Sequence, residues 1–187
     1  MCGIVGIFDT RAKSEIPRDL LSRMNETQFH RGPDEGGIHL EPGLGFGHRR
    51  LSIIDLSSGQ QPLFNEDGSV VVVYNGEIYN FQTLAEELKA LGHSFRTHCD
   101  TEVILYAWRE WREACVEHFR GMFAFAIFDG NDTLLARDPI GIKPLYYGHQ
   151  NGGLYFTSEL GAMSLAGVDE VHEFPAGHYY TPPEGFV

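Results

Sequence analysis

Residues Met122-Phe123-Ala124-Phe125-Ala126-Ile127-Phe128 are apolar at every position. A strand with one face in water alternates apolar and polar side chains, so this one must be covered on both faces. A second run, Val70-Val71-Val72-Val73-Tyr74, consists of β-formers, bounded by Asp67-Gly68 behind and Asn75-Gly76 ahead. Two such runs require material above and below a central sheet. A chain of 187 residues can supply it as one domain, burying about 70% of its unfolded surface.

The flanking segments read as further strands and covering helices. Pro17 stands where a helix can start, and Leu20, Leu21, Met24 and Thr27 keep helical spacing up to the turn-forming His30-Arg31-Gly32-Pro33-Asp34. Strands are expected near 37–40 and 44–48, on either side of Pro42-Gly43. Gly43, Gly45 and Gly47 alternate there without a phosphate-loop pattern and read as a tight strand connection. Asn80 can cap a helix carrying Phe81, Leu84, Ala85, Leu88 and Leu91 on one face, with Gly92 as its stop. Asp100 or Thr101 can cap another, with Ile104, Leu105, Trp108, Trp111 and Cys115 on its stripe. Strands near 133–136, 145–147 and 154–157 precede a short helix over 159–165, and Pro182-Pro183-Glu184-Gly185 reads as the start of a linker. Hairpins between apolar strands, with a few amphipathic helices, imply two antiparallel sheets face to face between helical layers.

A net charge of −12 argues against nucleic acid or an anionic membrane as a main partner. The basic cluster Arg31, His48, Arg49 and Arg50 is too small to reverse that, and Arg49 reads as surface charge. Cys2, Cys99 and Cys115 are odd in number and far apart, which fits a reducing cytoplasm and no disulfide framework. No signal-peptide pattern opens the chain, and no run approaches the roughly 18 apolar residues of a membrane span. The nine histidines show neither His-Glu-x-x-His nor zinc spacing with cysteine.

The chemistry concentrates at the start. Met1-Cys2-Gly3-Ile4-Val5-Gly6-Ile7-Phe8 is a buried strand with a thiol at its leading end. Removal of Met1 would put a nucleophile and the free α-amine on one residue, with the amine as a built-in base. Retention of Met1 would make that nitrogen an amide. On position alone, an inert buried thiol is an equal reading.

Further stretches decide between them: His30-Arg31-Gly32-Pro33-Asp34, Arg50-Leu51-Ser52-Ile53, Tyr74-Asn75-Gly76-Glu77-Ile78-Tyr79-Asn80, Cys99-Asp100-Thr101-Glu102 and Arg137-Asp138-Pro139-Ile140-Gly141-Ile142-Lys143-Pro144-Leu145-Tyr146. In this order, with the cysteine start, they resemble the glutaminase domain of class II, N-terminal nucleophile glutamine amidotransferases over nearly the whole chain. Ser52 to Asp55 and Gln61 to Asn65 favour the asparagine-synthetase type within that family.

The resemblance implies an α+β fold, a four-layer α/β/β/α sandwich of antiparallel sheets. It implies hydrolysis of the glutamine side-chain amide through a Cys2 thioester, with the Asn75 amide and the Gly76 backbone N–H as oxyanion donors. Arg50 would clamp the substrate α-carboxylate and Asp100 the α-ammonium, with Leu51, Ile53, Ile54 and Glu77 completing the glutamine contacts. No cofactor is expected on this domain; ATP and magnesium belong to a synthetase domain or subunit that accepts the ammonia and for which these residues hold no phosphate loop. A homodimer is compatible with all of this. Simpler readings stand beside it. Asn75-Gly76 is the strongest two-residue hairpin signal, Asp100 a helix cap, Glu77 a solvated turn carboxylate, and 137–146 a structural turn fixed by an Arg137–Asp138 pair. A non-catalytic glutamine- or partner-binding module, or the glutaminase domain of another class II amidotransferase, is the alternative for the whole chain.

Overall fold

The two apolar runs are neighbouring strands of one sheet. In the computed structural model, which describes residues 1–9, 13–52, 59–182 and 184–187, β5 (Val71–Ile78) and β6 (Gly121–Phe128) pair antiparallel from Val71↔Phe128 to Ile78↔Gly121. Around them lie β4 (Leu63–Phe64), β7 (Thr133–Arg137), β11 (Tyr179–Thr181) and β12 (Gly185–Phe186), in the order β12-β11-β7-β6-β5-β4. The other sheet has β1 (Gly3–Phe8) near its middle. It adds β2 (Glu35–Glu41), β3 (Leu44–Arg50), β8 (Tyr146–Gln150), β9 (Gly153–Thr157) and β10 (Val171–Glu173), in the order β10-β8-β9-β1-β3-β2.

Alternation along the strands sorts the side chains into layers. Val71, Val73, Ala124, Ala126 and Leu135 face Ile4, Phe8, Phe46 and Phe156 of the other sheet and form the central core. Val72, Tyr74, Phe123, Phe125 and Ile127 turn outward onto Leu84 and Leu88 of α2 (Phe81–Ala90) and Ile104, Leu105 and Trp108 of α3 (Thr101–Trp111). Val5 and Ile7 turn the opposite way. They meet Leu21 and Met24 of α1 (Arg18–Glu26) and Ala162 of α5 (Leu160–Ala166). The result is the four-layer α/β/β/α sandwich, and β6 is covered on both faces as its composition demands. Among the described residues, no helix is long and apolar enough to cross a membrane.

Several local expectations are corrected. Asn75-Gly76 is no hairpin turn: β5 continues through both residues, because Asn75 to Ile78 find partners in Ala124 to Gly121. The third helix stops at Trp111. Arg112, at φ 51°, breaks it to place its guanidinium over the Trp108 ring and against Asp129 and Asp132, and Cys115 opens a separate turn, α4 (Cys115–His118). Asp100 and Asn80 occupy cap positions without capping by side chain. The Asn80 amide instead ties His118 and Arg120 together, donating to the His118 carbonyl at 3.0 Å and accepting from the Arg120 N–H at 2.9 Å. Only Gly43 serves the strand connection, at φ 82°; Gly45 and Gly47 lie within β3, under Leu21 and Asn25 of α1. Residues 185–186, expected in a linker, form β12, and the Phe186 ring packs 5.0 Å from Tyr147 and Phe174.

Close contact at the centre makes a test of this packing. A Cβ on Gly6 would lie 2.3 Å from the Phe156 ring and 2.8 Å from the Gly45 carbonyl oxygen. Gly6→Ala therefore lowers stability by about 1–3 kcal/mol, as overpacking typically does; an unchanged urea midpoint would show that the sheets are less tightly apposed.

Candidate active site

Cys2 enters the site by register. Gly3 stands opposite Arg49 and Ile4 opposite His48, and Cys2 immediately precedes that ladder. It lies two residues before Ile4, and Asn75 two after Val73. Both side chains therefore fall on the inner faces of their sheets. They meet where the sandwich opens, in a cavity of about 380 Å³ whose walls include Cys2, Arg50, Leu51, Asn75, Gly76, Glu77 and Asp100. The sequence-predicted site is thus brought together, apart from Ile53 and Ile54, which lie outside the described residues.

Cys2 is half-buried, and its Sγ donates to the Leu51 carbonyl at 3.8 Å. The other two thiols are buried, and burial pushes both up from the ordinary cysteine range. The strand behind Cys2 is held at several points. Ile4 donates to Ser158 Oγ at 3.0 Å and accepts from the Ser158 N–H at 2.9 Å, while Arg31 Nε donates to the Cys2 carbonyl at 2.9 Å. Glu159 accepts from Arg31 Nη1 at 3.1 Å and meets His30 Nε2 at 2.9 Å.

The opposite wall is the edge of β5 beyond its short pairing with β4. Backbone N–H groups alternate between the two edges of a strand, and on this edge Tyr74 donates to Gln61 Oε1 at 2.6 Å and Ile78 to Asp100 Oδ2 at 2.9 Å. The Gly76 N–H lies between them and points the same way. Only glycine fits there, since a Cβ would lie 2.3 Å from the Met122 carbonyl oxygen. Beside it the Asn75 side chain is 1% exposed, and among the described residues nothing accepts a hydrogen bond from its Nδ2. A buried unpaired donor costs about 1–3 kcal/mol, so two donors converging on a cavity opposite a thiol suit a transient anion.

Comparison with known proteins matches a glutamine amidotransferase domain over residues 1–182. The chain belongs to that family. It is 47% identical over 173 residues to asparagine synthetase [glutamine-hydrolyzing] 1 of Bacillus subtilis, covering 90% of this chain and 27% of that protein. To asparagine synthetase [glutamine-hydrolyzing] 2 of Arabidopsis thaliana it is 42% identical over 188 residues, covering 99% and 32%. The chain thus spans about a third or less of these relatives' length. Glutamine phosphoribosylpyrophosphate amidotransferase of B. subtilis, solved with ADP and GMP, shares the fold at a TM-score of 0.84 and 22% identity, over 100% of this chain and 48% of that one.

Within this amidotransferase domain, Asp100 is buried and accepts from the Tyr74 hydroxyl at 2.6 Å and from the Ile78 N–H, both through Oδ2. Burial raises its carboxyl above the ordinary range and raises the Tyr74 hydroxyl well above its own. Arg50 is 5% exposed, with Nη1 donating to Glu35 Oε2 at 2.9 Å. Glu77 lies within β5 and lines the cavity, not a solvated turn.

Other charges differ from expectation. Arg49 is mostly covered, paired with Glu26 and 5.2 Å over the Phe29 ring, because its place in β3 turns it to the helix-bearing face. Arg137 pairs with Glu173 rather than with Asp138, and Lys143, five residues after Asp138, lines the cavity. Arg31 and Lys143 stand within stretches that the family resemblance picks out; nothing in the sequence distinguishes Ser158 or Glu159.

His48 joins the two sheets beneath the site. Its Nε2 lies 3.0 Å from the Tyr74 carbonyl oxygen, so the neutral ring donates there. Complete burial, with Arg50 adding a little, lowers its pKa to about 3. The unfolded state therefore binds one more proton between about pH 6.5 and 3, and stability falls with falling pH across that window and is level above it. His48→Gln keeps a terminal N–H but cannot titrate. Urea titrations from pH 7 to 4 should show its acid loss shallower than wild type by up to about 1.4 kcal/mol per pH unit; parallel curves would contradict this.

Proposed function

We propose that this chain hydrolyses the side-chain amide of glutamine to glutamate and ammonia. The observation that carries the reading is the buried, unpartnered Asn75 Nδ2 in the same cavity as the Cys2 thiol. Cys2 Sγ attacks the amide carbon, and the Cys2 α-amine, freed by removal of Met1, takes the thiol proton. The oxygen that becomes negative accepts from Asn75 Nδ2 and the Gly76 N–H. The amine returns its proton to the leaving nitrogen, ammonia departs, and a glutamyl thioester remains. Water then attacks that thioester, giving glutamate and restoring the thiol.

The ends of the substrate meet fixed charges. Arg50, oriented by Glu35, binds the α-carboxylate, and Asp100 with Glu77 binds the α-ammonium. Asp100 is held ready by the two bonds to Oδ2. The relatives named above are glutamine-hydrolysing asparagine synthetases about three times as long, which supports an ATP-dependent synthetase domain or subunit as the acceptor of the ammonia.

Intact mass first establishes that Met1 is absent. Ammonia release from glutamine should then be lost in Cys2→Ala while calorimetry still detects glutamine binding. Asn75→Ala should lower kcat about 100- to 1,000-fold with little change in KM, since the bond forms in the transition state. Heat of binding without ammonia from the processed wild type would mark a binding module and sink the hydrolase reading.

A further inference from the structure

One charged side chain in the cavity has no role in that scheme. Lys143 is 5% exposed, and among the described residues no carboxylate lies within ion-pair distance of its ammonium. Its Nζ instead lies 3.7 Å from the Sδ of Met1, the residue joined to Cys2. A buried ammonium left without an anion is costly and is ordinarily paired or excluded.

The chain nevertheless grips this residue firmly. Asp138 is wholly buried, and its carboxylate accepts the N–H groups of Phe123, Ile140, Ile142 and Lys143 at 2.9–3.2 Å. Arg137 Nε donates to the Lys143 carbonyl at 2.8 Å, and its Nη2 to the Gly141 carbonyl at 2.9 Å. The Arg137 guanidinium also reaches Glu173 and the Phe174 carbonyl. Two buried charges thus fix the main chain on both sides of Lys143 and hold its side chain toward the cavity.

Cys2 and Glu77 line the same cavity as Lys143, and burial lowers the proton affinity of its ammonium. Asp138 is already saturated by four backbone donors, and Glu77 serves the substrate in the scheme above. The remaining anion is the one the reaction makes.

We propose that Lys143 is the electrostatic partner of the Cys2 sulfur: its ammonium favours the thiolate that attacks the amide and receives it again when the thioester is hydrolysed. The proposal rests on Cys2 being the nucleophile and adds the group that holds its charge. A cation beside a thiol increases the reactive thiolate fraction, which alkylation reads without any substrate.

The experiment uses the Met1-processed chain and iodoacetamide at pH 7, with alkylation of Cys2 followed by peptide mass. Lys143→Met keeps the side chain's length without its charge and should slow alkylation about tenfold; Lys143→Arg should stay within twofold of wild type, and each variant should lose ammonia release in the same proportion. Lys143→Gln repeats the charge removal should the methionine variant not fold. Wild-type alkylation in the uncharged variants would overturn the proposal, as would an unchanged alkylation rate with a raised KM for glutamine, which would give the ammonium to the substrate instead. Because alkylation needs no turnover, it separates failure of this role from failure of the hydrolase reading.

Discussion

The two-residue repeat of an extended strand decides both the core and the site. Ile4, Phe8, Phe46, Val71, Val73, Ala124 and Ala126 fill the gap between the sheets. The same parity, carried to where the sandwich opens, delivers Cys2 from β1, His48 and Arg50 from β3, and Asn75 and Glu77 from β5. Core and site are one surface with a change of composition along it. A one-residue slip of β1 against β3 would send the Cys2 sulfur toward α1 and bring the apolar side chains with it, so the packing of the core fixes the placement of the thiol.

That change of composition has a structural cost, met by fixed polar partners. His48 spans the sheets to the Tyr74 carbonyl, and the Tyr74 hydroxyl binds Asp100, which also caps the Ile78 N–H. A single run of bonds therefore passes from β3 through β5 to the start of α3, beneath the cavity floor. It ties this wall of the cavity, the β5 edge beyond β4, to both neighbouring layers. Left untied, that edge would offer three N–H groups to solvent or to another strand. Here Gln61 and Asp100 take the outer two, and the middle one, from Gly76, faces the cavity.

Much of this was legible beforehand because it depends on local composition. Residues 122–128 require cover on both sides and receive it, and the helical stripes reappear in α2 and α3, except for Leu91, which lies exposed past the end of α2, and Cys115, which falls in a separate turn. The family resemblance names Cys2, Arg50, Leu51, Asn75, Gly76, Glu77 and Asp100 among the residues that line the cavity, but not Gln61, Tyr74 or Lys143, and their geometry is not readable from sequence. Asn75-Gly76 looks like a turn to any local rule and becomes strand only through its pairing with residues about 48 positions away. β4, β10, β11 and β12 are two or three residues long, too short to carry a period. Arg31, Ser158 and Glu159 converge behind Cys2 from distant parts of the chain, so their grouping exists only after folding.

The fold satisfies some buried polar groups fully and leaves others open. Asp138 has four donors on one carboxylate and Arg137 has four acceptors around one guanidinium, both buried at the end of β7. Around the cavity, among the described residues, the Asn75 amide nitrogen lacks an acceptor and the Lys143 ammonium lacks a carboxylate. Each such group lowers stability, as do the open polar atoms of Asn25 and Gln28 away from the cavity, but these two share one 380 Å³ space with Cys2. Both are positive ends of dipoles or charges. A site poised for negative charge, assembled before any substrate arrives, spends little reorganisation at the moment of reaction, and that is the condition under which fixed donors are most effective.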